Sequence, residues 1–212
     1  MSFTCSDSQL GVCLGDNSPQ PQKQPKCEVP QTPICEIQLP GPLCVNFTLS
    51  DFGETAGNIG NWWRGYKFKF RAGGDTLLTA LTGGSNSGDL SIFRLGGTNN
   101  AIIEEVLESF PGVNNPPGEP LVLSEPIMLT SDQYYFLAVG GGSYPRVSNI
   151  DLERMKEATG ICEWEPSGGT TSYVIPGSSD DIAEDLVGRD ITEHTNINLP
   201  DLGFQGNLEA CE

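Results

Sequence analysis

Tyr66-Lys67-Phe68-Lys69-Phe70-Arg71 places an aromatic ring at each even position and a cation at each odd one. A period of two belongs to a strand whose successive side chains point to opposite faces, so this run predicts a half-buried β-strand with rings on its inner face. Outward from it, apolar runs of similar length recur at 43–49, 76–81, 89–95, 101–107, 121–129 and 133–139, separated by Gly, Asn, Asp and Pro clusters. Strands of that number and spacing suffice for two antiparallel sheets packed face to face. Gly83-Gly84-Ser85-Asn86-Ser87-Gly88 reads as a hairpin loop between two of them. The expected fold class is all-β, an antiparallel β-sandwich.

Two short helices are expected in the C-terminal part. Asn149 precedes Ile150–Thr159, where Leu152, Met155 and Thr159 fall near one stripe and Gly160 stands as a stop. Ser179 precedes 180–187, with acids in the first turn, Ile182 and Leu186 four apart, and Gly188 closing. The pieces Ile197-Asn198-Leu199 and Leu202-Gly203-Phe204 read as closing strands or a packed tail.

The N-terminal residues are written differently. Residues 1–42 carry Pro19, Pro21, Pro25, Pro30, Pro33, Pro40 and Pro42, which fix φ and withhold N–H donors, so an extended arm is expected ahead of a sandwich domain at 43–212. That arm and the strand after it hold Cys5, Cys13, Cys27, Cys35 and Cys44, and Cys162 and Cys211 lie far downstream. Seven is odd, so at least one thiol stays unpaired within a single chain, binds a metal or crosses to another chain. Structural zinc favours closely paired ligands, and no Cys-x-x-Cys occurs, so disulfides are the expected use. The opening residues Met1-Ser2-Phe3-Thr4-Cys5-Ser6-Asp7 are polar rather than leader-like, and no run of 18 apolar residues exists to form a spanning helix. Assembly in a cytosol followed by exposure to oxygen on lysis reconciles abundant cysteine with that opening.

Charge narrows the partners. A formal net charge of -17 repels phosphate backbones and anionic headgroups, so neither nucleic acid nor a membrane is an expected partner. Acid is concentrated late, with Asp180, Asp181, Glu184, Asp185, Asp190, Glu193, Asp201, Glu209 and Glu212 against Arg189.

The runs Gly65-Tyr66-Lys67-Phe68, Leu77-Leu78-Thr79-Ala80-Leu81, Gly88-Asp89-Leu90-Ser91-Ile92-Phe93, Pro126-Ile127-Met128-Leu129-Thr130 and Tyr134-Tyr135-Phe136-Leu137 follow one another in order. Over about 63–139 they resemble jelly-roll-like sandwich modules of bacterial surface proteins, with Phe93 where those modules carry Trp. The resemblance implies a jelly-roll-like sandwich and transfers no active site. In its acidic sandwich and cysteine-bearing arm, the chain is also similar in style to head, neck or collar accessory proteins of disulfide-reinforced tailed bacteriophages.

Candidate chemistry is sparse. His194 is the only histidine, and no Gly-x-Ser-x-Gly elbow or Cys-His context accompanies it. Asp180, Asp181, Glu184 and Asp185 lack the interleaved Asp-x-Asp-x-Asp-Gly loop of a calcium site and suit a helix N-terminus. Gly73-Gly74 and Gly140-Gly141-Gly142 lack the Lys-Ser/Thr of a phosphate loop and read as turn glycines. Trp62 and Trp63 are both candidate interface or glycan contacts; as neighbours on a strand, one enters the core while the other, expected to be Trp62, stays outside. The expectation is a non-enzymatic structural protein without cofactor, docked on other virion proteins through intermolecular disulfides and homo-oligomeric within that assembly. An extracellular carbohydrate-binding or adhesion module is the alternative.

Overall fold

The computed structural model describes residues 43–60, 62–70, 76–83, 85–116, 119–166, 168–176 and 181–208. The chain divides into two units, Met1–Gly41 and Pro42–Glu212, and every described residue belongs to the second. The arm expected over 1–42, with Cys5, Cys13, Cys27 and Cys35, lies outside the described residues, as does Cys211.

Strands dominate the second unit, in two antiparallel sheets. One runs β1 (Leu43–Thr48), β13 (Leu202–Leu208), β4 (Thr76–Gly83), β7 (Pro120–Leu129). The other is built on β8 (Tyr135–Ser148), flanked on one edge by β3 (Trp63–Phe70) and on the other by β5 (Ser85–Gly96), which pairs with β6 (Ile102–Asn115). β9 (Ile161–Glu165) and β10 (Ser172–Ile175) share the far edge of β3, and β11 (Thr195–Asn196) pairs with β10. β2 (Glu54–Gly60) and β12 (Leu199–Pro200) join the far end of β8. The result is a two-sheet antiparallel sandwich with one helix, consistent with a jelly-roll-like arrangement.

β2 and β3 behave as one interrupted strand. Ile59 faces Tyr144 and Phe68 faces Tyr135, so the register along β8 is unchanged across the break at 61–62. Trp62 sits in that break, outside both strands.

The opening alternation is seen in the packing. Tyr66, Phe68 and Phe70 point between the sheets, where Phe204 of β13 stacks on Phe68 at 5.5 Å and meets Phe47 edge-on at 4.6 Å. Such ring pairs contribute about 0.5–1.5 kcal/mol each beyond the area they bury. Trp164 stacks on Tyr66 at 4.1 Å. The nine-stranded sheet is covered on its outer face as well. Trp63, Phe93, Leu95, Phe136 and Ala138 meet Ala183, Leu186 and Ile191 there. The covering segment is held to β6 and the residue before it by Gly188 N–H to Ile103 O (2.8 Å), Ile103 N–H to Arg189 O (3.0 Å) and Ile191 N–H to Ala101 O (3.0 Å).

Several sequence expectations require correction. The glycine-rich stretch at 83–88 is not a hairpin: β4 and β5 lie in different sheets, so the chain crosses the sandwich there. The first helix is α1 (Leu152–Thr159), capped by Asp151, whose side chain accepts from Arg154 N–H at 3.1 Å. Asn149 does not take that role: Asp151 N–H, which such a cap would accept, is already bonded to Phe52 O at 2.9 Å. Gly160 closes the helix as expected. The second expected helix shrinks to one 3-10 turn, Ala183–Leu186, because a continuing helix would take the backbone at 188–191 away from β6. Ile197 is exposed and belongs to no strand.

Candidate functional site

Three regions gather chemistry-bearing side chains among the described residues. The first is a cleft of about 370 Å³ lined by Ile102, Ile175, Pro176, Gly188, Arg189, Asp190, Glu193 and His194. His194 lies here, its carbonyl accepting Val174 N–H at 2.9 Å. Two of its polar neighbours are engaged elsewhere. Arg189 donates to Asp181 Oδ2 at 2.8 Å, and Asp190 Oδ1 accepts both Thr192 Oγ1 (2.7 Å) and Thr192 N–H (2.8 Å). The hydroxyl and then the amide of Thr192 hold the Asp190 carboxyl below its ordinary range. The lining residues include no Ser, Thr, Cys or Lys to serve as a nucleophile.

The second region is a polar network on the outer face of the large sheet. Lys67 and Lys69 of β3 stand directly opposite Glu165 and Glu163 of β9 in the strand register. Lys67, only 3% exposed, donates to Glu165 Oε2 at 3.1 Å and to Asn99 O at 3.0 Å, and the Tyr173 hydroxyl donates to the same Glu165 oxygen at 3.0 Å. Lys69 pairs with Glu163 at 3.4 Å. The Tyr134 ring receives both ammonium groups, at 4.4 and 5.3 Å from its centroid, while its hydroxyl donates to Glu163. That hydrogen bond pushes Tyr134 up to about 12 and lowers Glu163. Burial, then the Glu165 hydrogen bond, raises Tyr173. Each cation has its acid, so the network clamps β3 to β9 and β10.

The third region lies at the β2–β3 break. Trp63 is fully buried, its indole N–H donating to Asp181 O at 3.1 Å, and its ring lies where a side chain on Gly140 would be: a Cβ there would come within 2.2 Å of it. It is therefore a packing residue, which removes it as a glycan contact. Of the triple glycine once read as turn residues, Gly140 makes room for that ring. Gly141 and Gly142 do have positive φ (61° and 51°), yet all three lie inside β8. Trp62 is 42% exposed, and its carbonyl accepts the Tyr144 hydroxyl at 2.9 Å. Beneath its ring, 5.8 Å from the centroid, lies the Arg64 guanidinium. Arg64 is 7% exposed, and its Nε and Nη1 are enclosed with no hydrogen-bond partner. No described acid pairs with it.

Sequence reasoning did not single out Arg64, Lys67, Glu163, Glu165 or Tyr173. The i, i+2 spacing shared by Lys67/Lys69 and Glu163/Glu165 was the available signal for the network. The acidic residues weighed for calcium have other duties: Asp181 holds Arg189, and Asp185 accepts from Ile182 N–H at 3.3 Å. Asp180 is outside the described residues, among which no group of metal-ligating side chains comes together.

Cysteine appears once with a described side chain. Cys162, on β9, is disulfide-bonded. Cys44 lies on β1 with its side chain outside the description. Comparison with family models, curated proteins and solved structures finds no match to this chain, so the reading of its function rests on its own residues.

Proposed function

We propose that this chain is a structural component of a larger assembly, tied in by disulfides from its cysteine-rich N-terminal segment, with a virion as the setting: capsid decoration, neck or collar. Other structural proteins and further copies of the chain are its partners, and it reaches the exterior when the host lyses.

The observation that carries the reading is the bonded Cys162. It stands on a strand fixed by the Lys67–Glu165 and Lys69–Glu163 pairs, so a covalent link at this point transmits force into the sandwich. Whichever cysteine completes that bond, five remain, which is again an odd number. An unpaired thiol in a proline-rich segment suits a cross-link to a neighbour, because the covalent bond abolishes dissociation. In this reading the cleft at His194 performs no turnover, its lining offering no Ser, Thr, Cys or Lys.

The test is electrophoresis of the native assembly with and without reductant, followed by peptide mapping of the unreduced material. A ladder above the monomer that collapses on reduction, with a cross-linked peptide from another chain, is expected. A monomer band in both lanes, with no interchain peptide, would refute the reading.

A further inference from the structure

The Lys67–Glu165 network is satisfied, and among the described cations Arg64 alone has buried nitrogens with no hydrogen-bond partner. Arg64 lies on the inner face of β3, in line with Tyr66 and Phe68, at the end of the strand beside the 61–62 break. Nε and Nη2 form one hydrogen-bonding fork of a guanidinium, Nη1 and Nη2 the other. With Nε and Nη1 both unpartnered, each fork has an open donor. Enclosing an ionised group without a partner is among the costlier arrangements in a folded chain, and one such group in a protein otherwise rich in acid marks a place kept for an anion.

We propose that Arg64 and Trp62 form a receptor for a single carboxylate carried on a pyranose ring, that is, a uronic acid residue. A planar carboxylate matches a guanidinium fork with two parallel hydrogen bonds, and one positive charge balances one carboxylate. A phosphate dianion would need a second cation, and a polyanion would meet a protein of net charge -17. The sugar follows from Trp62, whose exposed indole gives the flat apolar face on which the C–H side of a pyranose stacks. Trp62 is also the movable part. It belongs to neither flanking strand, so its ring can turn off the guanidinium without breaking a strand ladder, and the acid enters where the ring had lain. The site is independent of the cysteines and stands or falls apart from the anchoring role.

The full chain is titrated with methyl β-D-glucuronide, methyl β-D-glucoside and sodium acetate while tryptophan emission is followed, Trp62 being the exposed indole against buried Trp63 and Trp164. Saturable change with the glucuronide at about millimolar concentration is expected, with at least tenfold weaker response to the glucoside and to acetate. Arg64→Gln reduces glucuronide affinity to that of the glucoside, and Arg64→Lys, which keeps charge and loses the fork, falls between. Should the glutamine variant not fold, the lysine variant carries the comparison alone. A flat glucuronide titration, or a glucoside or acetate response equal to it, overturns the proposal.

Discussion

Replacing Arg64 by methionine should make the protein more stable, against the usual direction for a core substitution. The guanidinium has lost its hydration, and neither Nε nor Nη1 has gained a partner in exchange. The effective penalty for an ion so placed is several kcal/mol, partly offset by attraction to the Trp62 ring 5.8 Å away, worth about 0.5–2 kcal/mol. Methionine retains the unbranched stem, so packing against Tyr144 and the strand is preserved while the charge is removed. A net gain of about 1–2 kcal/mol remains. For a domain of this size each kcal/mol moves the midpoint by about 2–4 °C, so Tm should rise by about 2–8 °C. Urea denaturation at neutral pH supplies the free energy, with m compared to confirm that the unfolded state is unchanged. A variant destabilised by more than about 1 kcal/mol would refute the reasoning, because it would mean that Arg64 holds a partner in the folded protein and is not an empty receptor.

Two further substitutions probe the same frame. Gly140→Ala drives a methyl into the Trp63 indole at 2.2 Å from Cε2, and because backbone and ring are both fixed the cost should be about 1–3 kcal/mol; an unchanged urea midpoint would show that the ring has room. Asp201, at the crossing from β12 to β13, uses Oδ1 to accept Ser50 N–H at 2.8 Å and leaves Oδ2 buried and unpartnered, and burial raises its pKa above the ordinary value. A raised carboxyl favours its protonated form in the folded state, so its contribution is fully present below about pH 4 and is lost as pH rises through the folded pKa. Asp201→Asn should therefore gain on the wild type between about pH 4 and pH 7, and a difference that stays flat or shrinks over that window would sink the assignment.

The all-β sandwich was legible because its strands are half-buried, and half-burial writes a period of two. Tyr66, Phe68 and Phe70 carry it without interruption. What escaped were strands with other constraints. β2 (Glu54–Gly60) exposes most of its residues and has few apolar ones, so no alternation marks it. The middle of β8 contains Gly140, Gly141 and Gly142, residues that ordinarily break strands; here Gly140 admits the Trp63 ring and Gly141 and Gly142 take positive φ. The 83–88 stretch has the composition of a hairpin turn. Whether two strands joined by such a turn pair or part depends on which partner each finds elsewhere, and β13 and β8 lie far away in sequence.

The site region was partly legible by the same rule. Alternation separated Trp62 from Trp63 but does not account for the buried one: Trp63 shares the odd, outer face with Lys67 and Lys69 and is buried because Ala183, Leu186 and Ile191 cover that face. Extending the even positions back by one pleat from Tyr66 gives Arg64, so the reading that put three rings between the sheets also puts a guanidinium on that face. A cation at that position requires either an acid from the opposite sheet or an opening at the end of the strand. The facing strands contribute apolar side chains such as Leu81 and Phe204, and the strand breaks two residues earlier, at 61–62. Parity makes Arg64 inward, the opposite sheet leaves it unpaired and the break makes it reachable. Each of those conditions alone is unremarkable in a sandwich, and their coincidence under an exposed tryptophan is what separates a receptor from a packing fault.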